Sequence, residues 1–326
     1  MAAPFADLTP DAVLNAIDST GLYTSGTLLA LNSYENRVFQ VGIDDGAQPF
    51  VVAKFYRPGR WSDAQILEEH AFTLELAAAE VPAVPPLALN GGTLHAHAGY
   101  RFALYPRRGG RAPELESRDV RRWLGRFIGR IHAVGTRSRY TQRPALDVQT
   151  LGEEPLAYLA DSGRVPHDSR DVFFGVAAQA LAEVRRSYER AGDVRTLRLH
   201  GDVHVGNVLW TDAGPHFVDF DDSRTGPAVQ DLWMLLSGPR EQRQGQLADL
   251  LAGYEEFMEF DRCELLLVEA LRTLRLIHYA AWIACRWDDP AFPAAFPWFD
   301  SPRYWEQRIL ELREQIAAMQ EPPLAA

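Results

Sequence analysis

The hydrophobic period changes once along this chain, and that change constrains the fold more than any single residue does. Before Pro106 the apolar residues fall in short runs broken by turn residues, the pattern of strands. "GTLLAL", "RVFQVGI" and "FVVAKFY", separated by "NSYEN" and an "IDDG" turn, predict a three-strand meander. Further strands are expected around Leu87 and from Tyr100 to Tyr105. Between them "WSDAQILEEHAFTLELAAAE" predicts a helix starting near Asp63, because Ser62 and Gln65 have capping-box spacing. "YPRRGGR" breaks the pattern, and beyond it the period is helical: Trp123, Phe127, Ile128 and Ile131 share one face, and similar stretches recur to the C-terminus. "TRSRYTQRPALDVQTLGEEP" is more irregular and is expected at the surface. The outcome is an α+β chain, with a small β-rich lobe over residues 1–105 and a larger, mainly helical lobe over 106–326.

Composition narrows the function classes. With 44 acidic against 33 basic residues the net charge is −11, which argues against nonspecific binding to nucleic acid or an anionic membrane. Two cysteines in apolar surroundings support neither a disulfide framework nor a cysteine zinc site. The N-terminal "MAAPFADLTPDAVLNAID" lacks the basic and apolar regions of a secretory leader, and no apolar run reaches membrane-spanning length. A cytoplasmic monomer is expected.

Chemistry concentrates in "LRLHGDVHVGNVLWTDAGPHFVDFDDSRTGP", Leu197 to Pro227. A short apolar run ends at Asp202, Asn207 follows five residues later, and "NVLW" with "HFVDF" reads as a hairpin delivering Asp219. One carboxylate to orient a hydroxyl and take its proton, with an amide oxygen and a second carboxylate to hold Mg²⁺ against phosphates, is a phosphoryl-transfer set. Upstream, Lys54 sits in an apolar strand, where an ammonium needs a partner. Glu69, inside the apolar arc of its helix, is the candidate. Alone, the pair also reads as a lysine snorkelling from an edge strand and a partly exposed helix acid. The motifs of P-loop and nucleophile-elbow enzymes, GxxxxGK[ST] and GxSxG, do not occur.

At these residues the chain resembles the aminoglycoside phosphotransferase-like kinases, whose signature is HGDxHxxN followed by an aspartate in an apolar strand. "LNSYENRVFQ", "KFYRPGRW", "ILEEHAF", "FVDFDDSRTGPAVQDLWMLL", "DPAFPAAFPWF" and "QEPPL" make the resemblance closer to the bacterial stress response kinase A family. It implies a protein-kinase-like bilobal fold, ATP as donor with Mg²⁺, and protein Ser and Thr hydroxyls as acceptors, the enzyme's own among them. It casts Asp202 as base, Asn207 and Asp219 as metal ligands, and Lys54 with Glu69 as the phosphate-positioning pair. Ser33 and Asn36 fall in the nucleotide loop, which lacks the glycine-rich pattern of ordinary protein kinases, and Tyr105 in the connector beside the adenine.

Other readings stay open at this level. The core signature also suits a kinase of amino alcohols, sugars or aminoglycosides, or a pseudokinase acting as an interaction module, although the latter usually lacks one of these residues. His200 and His204 could ligate a transition metal or support the loop. Asp221 and Asp222 could take a second metal or form an exposed acidic turn. Asp231 is expected to hydrogen-bond the catalytic loop, and the aromatic "RWDDPAFPAAFPWF" to pack on the helical lobe or touch protein substrates.

Overall fold

A computed structural model describes residues 4–44 and 49–325. They group into two compact units: residues up to Pro113 with Val205–Asp221, and Glu114–His204 with the residues from Asp222 onward.

The first unit opens with a helix that the strand-dominated reading of this region passes over. In α1 (Pro10–Asp18) the Thr9 hydroxyl accepts the Ala12 N–H at 3.2 Å and proline fills the first turn, where its missing N–H costs nothing. Strands β1 (Thr24–Leu31), β2 (Arg37–Ile43) and β3 (Phe50–Phe55) form the expected meander, and α2 (Asp63–Ala78) starts with both halves of the Ser62–Gln65 capping box in place. Part of the "IDDG" turn, Asp45 and Gly46, lies outside the described residues. The expected strand around Leu87 does not form. Pro82, Pro85 and Pro86 remove ladder donors there, and Leu87 keeps one backbone bond, to the Leu104 carbonyl. The alternating "TLHAH" supplies β4 (His95–His97) instead, paired with β5 (Tyr100–Pro106).

These strands make an antiparallel sheet in the order β1-β2-β3-β5-β4. Period-2 alternation divides β3. Val51, Ala53 and Phe55 enter a core with Val13 and Ile17 of α1, where Phe55 stacks on Phe102 at 5.1 Å, while Val52 and Lys54 point to the other face. After the second unit's strand β6 (Thr196–Arg198), the chain returns as the expected hairpin, β7 (Val208–Thr211) and β8 (Gly214–Phe217). The hairpin joins the first unit through main-chain bonds: Arg111 and Trp210 exchange N–H donors at 3.0 and 2.7 Å, and Phe217 donates to Pro82 at 2.8 Å. A Cβ on Gly110 would meet Leu209 at 2.7–2.8 Å, so glycine permits this approach.

The second unit is helical, with β6 paired to β9 (Thr225–Pro227). Helices α3 (Arg118–Gly135), α5 (His167–Ala191), α6 (Gln230–Trp233), α7 (Arg240–Tyr254), α8 (Val268–Ala284) and α10 (Pro302–Gln320) follow the period read from the sequence, while α4 (Glu154–Ser162) and α9 (Ala291–Ala295) are not read there as helices. Helices α3 and α7 pack backbone to backbone: a Cβ on Gly125 would lie 1.9 Å from the Leu250 carbonyl, and one on Gly253 1.9 Å from that of Arg122. The irregular stretch before α4 is not wholly at the surface. Arg143 is buried and donates to the Ser223 carbonyl at 2.8 Å, and Leu146 donates to Thr225 at 2.7 Å. The aromatic segment at α9 packs on α8 and α10, with Trp282–Phe292 at 5.0 Å and Phe299–Trp305 at 5.3 Å. Among the described residues no helix is long and apolar enough to cross a membrane.

Candidate active site

The first unit holds a cavity of about 490 Å³ under its sheet. Leu31, Val38 and Val52 line one wall, and Leu209 and Val218 of the hairpin belong to the apolar lining as well. Its polar lining comes from Lys54, Glu69, Asn207 and Asp219, with Ser33 in the β1–β2 turn and Tyr105 to Gly110 along the connector. An apolar slot beside a charged end suits a flat base joined to an anionic tail.

Lys54 is 6 % exposed in a central strand, paired to Val38 and Ala103, which rules out a snorkelling edge residue. Its ammonium lies 2.7 Å from Asp219 Oδ1 and 3.2 Å from Asp221 Oδ1. Burial pushes this ammonium toward neutrality, but the charges around it, Asp219 first, then Asp221, Tyr105 and Glu69, together hold its pKa well above the ordinary lysine value. Glu69, 1 % exposed on α2, adds to the same effect through its charge. The close ion pairs of Lys54 are therefore with the two aspartates, and Glu69 acts at longer range.

Asp219 follows β8 with φ +60°, a left-handed conformation that costs a non-glycine residue about 1 kcal/mol or more. Its carboxylate is half exposed. The Val218 N–H donates to the Asn207 carbonyl at 3.0 Å, so the short turn Val205–Asn207 brings an amide side chain into the cavity lined by Asp219. An amide oxygen and a carboxylate are hard oxygen donors that suit Mg²⁺.

Asp221 is not the exposed end of an acidic turn. It is 3 % exposed, accepts from Asn36 Nδ2 at 3.1 Å and pairs with Arg60 as well as Lys54. Asn36 is buried too, and its Oδ1 accepts the Arg57 N–H at 3.1 Å. It braces this network, while Ser33 lines the cavity. Arg57 in turn pairs with Glu35 at 3.0 Å. The sequence carried a signal for this network in the arginines of "KFYRPGRW" and the two-residue spacing of Asp219 and Asp221, which a turn with Phe220 buried converts into one charged layer. A second unanticipated chain runs behind Tyr105, whose hydroxyl is 3.0 Å from that of Tyr56; Tyr56 reaches His70 Nε2 at 2.8 Å, and His70 Nδ1 reaches Thr93 at 2.8 Å. Burial pushes the Tyr105 phenol well above its usual range, so it is a neutral hydroxyl.

Asp202 belongs to the second unit, on the loop after β6. Fully buried Asp231, at the start of α6, accepts the N–H groups of His200 and Gly201, each at 2.8 Å, and contacts His132 Nε2 at 3.0 Å. The loop-bracing role expected for Asp231 is what these bonds perform. Gly201 has φ +88°, and a Cβ there would lie 2.2 Å from the Asp222 carbonyl, so the turn before Asp202 requires glycine. His200 Nδ1 accepts the Asp202 N–H at 3.3 Å. The carboxylate itself receives Arg275 Nη1 on Oδ1 at 2.9 Å and lies 3.4 Å from His204 Nε2 through Oδ2. Burial pushes its pKa up, but the bond to His204 and the charge of Arg275 prevail and hold it well below the usual carboxylate range. Arg275 was not singled out from sequence, because an arginine in an amphipathic helix looks like an ordinary surface residue. Among the described residues no group of three or more His, Cys, Asp or Glu side chains gathers as a metal cluster.

The comparisons with known proteins fit this geometry. Residues 27–266 match the model of a family described as "Phosphotransferase enzyme family". The chain is 44 % identical over 320 residues to "Stress response kinase A" of Escherichia coli (strain K12), covering 98 % of this chain and 96 % of that one. Identity and coverage are the same for "Serine/threonine protein kinase RdoA" of Salmonella typhimurium (strain LT2). Among solved structures, the amicoumacin kinase hAmiN, in complex with AMP-PNP, Ca²⁺ and Ami, superposes with a TM-score of 0.72 at 18 % identity, covering 97 % of this chain and 95 % of that one. A microcompartment-associated aminopropanol kinase gives 0.69 at 18 %, over 94 % and 96 %. These structures share the kinase-like fold, with its β-sheet and helical lobes. On full-length similarity at 44 % identity and a family match over most of its length, the chain belongs to the phosphotransferase enzyme family and, within it, to the stress response kinase A family.

Proposed function

We propose that this protein is an ATP- and Mg²⁺-dependent serine/threonine protein kinase working in the cytoplasm. The observation that carries the reading is the cavity with Lys54 ion-paired to Asp219 beside Asn207. Leu31, Val52 and Leu209 enclose the adenine, with the connector at Tyr105 beside it. Lys54, kept charged by two aspartates, exchanges one of them for nucleotide phosphate oxygens. Asn207 and Asp219 would hold the Mg²⁺, which when bound offsets charge on the phosphates. Ser33 supplies a hydroxyl donor in a nucleotide loop without a glycine-rich run.

Asp202, five residues before Asn207, is the base. It orients an acceptor Ser or Thr hydroxyl and takes its proton as the oxygen attacks the γ-phosphorus, the bond to the β–γ bridging oxygen breaks and ADP leaves. Asp231, by fixing the His200 and Gly201 amides, positions that carboxylate. Protein acceptors are favoured because relatives at 44 % identity bear the names of a stress response kinase and a serine/threonine protein kinase. The small-molecule reading draws on the shared core signature, on the general phosphotransferase family match and on distant fold similarity.

The test is transfer of labelled phosphate from Mg-ATP to the protein itself, to casein, and to a panel of amino alcohols, sugars and aminoglycosides. Phosphoserine or phosphothreonine on the proteins is the expected result. Rapid labelling of a small molecule with none on protein overturns the reading.

A further inference from the structure

Asp202 is a poorly available base as the chain stands. Arg275 donates to Oδ1 at 2.9 Å and His204 Nε2 lies 3.4 Å from Oδ2. His200 bears on it as well. The arginine is the movable member: it is 45 % exposed and reaches Asp202 from α8, a separate element, whereas His200 and His204 belong to the loop itself. A hydroxyl that is to give its proton to Asp202 needs an oxygen of that carboxylate within about 2.6–3.2 Å. The arginine competes with the acceptor hydroxyl for Oδ1, and an anion carried by the acceptor draws it away.

Helix α8 shows which kind of chain could supply it. Its one acidic residue, Glu269, is taken by Arg243 at 2.6 Å and Arg272 at 3.6 Å, so the helix offers positive charge around Arg275. Tyr279 and Trp282 continue the same face at four- and seven-residue spacing, and Arg286 follows in the turn after the helix. Tyr279 and Trp282 stack at 5.7 Å, and the Arg286 guanidinium lies over the Trp282 ring at 5.3 Å. With these rings packed on the α9 segment, the exposed group of this face is the Arg275 guanidinium, which suits a carboxylate of the acceptor. It opposes an ammonium-bearing acceptor, which would place a like charge beside Arg275.

Resting on the protein-kinase reading above, we propose that Arg275 is an acceptor-specificity residue, exchanging Asp202 for a carboxylate of the incoming chain, so that the enzyme prefers Ser or Thr with Asp or Glu two residues away. In an extended chain, residues two apart share a face and are separated by about 7 Å. That matches the reach from a hydroxyl on Asp202 to a carboxylate on the far side of Arg275. The exchange releases Oδ1 and removes a charge that weakens Asp202 as a base, so an acidic acceptor improves the base that acts on it.

The experiment compares kcat/KM for three serine peptides that differ only at the positions two residues either side of the serine: Glu, Gln or Lys. The wild-type protein should prefer Glu over Gln by about tenfold or more, the scale of one charge-assisted hydrogen bond, and Lys should be the poorest. Arg275→Ala should bring Glu and Gln within about twofold and, on the Gln peptide, move the acidic limb of the kcat/KM–pH profile to higher pH, a shift that a merely structural role would not cause. Arg275→Lys should retain part of the preference and Arg275→Glu should reverse it toward the Lys peptide. If Arg275→Ala does not fold, the wild-type series and Arg275→Lys decide. Phosphorylation of casein with equal kcat/KM for the three peptides overturns this inference and leaves the protein-kinase reading intact. Turnover of an amino alcohol with none of any protein overturns both.

Discussion

The Lys54 ammonium stands 2.7 Å from Asp219 Oδ1, inside a cavity that also presents Asn207. This pairing keeps a buried lysine charged, since the negative groups around it, Asp219 first and then Asp221, offset its desolvation. Lys54→Met should lower kcat/KM for ATP by about 100-fold or more, the usual loss when one donor to a reacting phosphate or oxyanion is removed. Arg60 still compensates Asp221 in this variant, so the thermal midpoint should stay within a few degrees. Unchanged steady-state kinetics in a folded Lys54→Met protein would remove Lys54 from the phosphate site.

Asp219→Ala tests the other side of the pair. It deletes the more exposed carboxylate of the cavity's ion pairs and leaves Lys54 its bond to Asp221. Calorimetric titration should show wild-type ATP binding strengthened by Mg²⁺ and lost on adding EDTA, and a variant whose ATP affinity no longer responds to Mg²⁺. A variant with the wild-type response contradicts the assignment of Asp219 as a metal ligand.

Asp231 is an interior carboxylate whose partners are two backbone amides and His132. Replacing it by alanine leaves those donors buried without their acceptor, at a cost of about 3–5 kcal/mol. Urea unfolding of Asp231→Ala should show a midpoint lowered accordingly, with kcat falling even where the chain remains folded, because the turn that aims Asp202 is no longer held. Stability within 1 kcal/mol of wild type contradicts this role.

Glu264 sets a pH dependence. It is buried and accepts the Val229 N–H at 2.8 Å, and burial pushes its carboxyl up to about 7. With a folded pKa above the unfolded value, the native state binds the proton more tightly, so stability is highest below about pH 4.5 for this group and falls as pH rises toward 7. Glu264→Gln keeps an amide oxygen for Val229 and removes the ionisation. It should gain stability over wild type at pH 8, by on the order of 2–3 kcal/mol, and lose that advantage at pH 5. Parallel denaturation curves at the two pH values with no difference between the proteins contradict it.

What was legible in the sequence followed from local chemistry. The capping box at Ser62, the meander, the β7–β8 hairpin and the long helices are written in periodicity and turn residues, and Asp202, Asn207 and Asp219 in one short segment. What was not legible depended on distant residues meeting. Lys54 was assigned to Glu69 because both are charges in apolar elements; its close partners come from a hairpin more than 160 residues further along the chain. Asp221 read either as a second metal ligand or as an exposed acid, since nothing local shows that Arg60 and Asn36 enclose it. Arg275 was not singled out for the same reason. The strand misplaced at Leu87 was instead a local error, since the prolines beside it were visible.

The most direct test of the whole account is Asp202→Asn. The amide keeps the shape of the side chain but cannot take a proton, while the cavity proposed for the nucleotide, built from the first unit, is untouched. Incubated with Mg-ATP, the wild-type protein should gain phosphate on Ser or Thr, read by mass spectrometry. The variant should lose transfer by about 10²- to 10⁴-fold with ATP affinity close to wild type. Near wild-type phosphorylation by Asp202→Asn would contradict the account, because the chain would then be transferring phosphate without the base assigned to it.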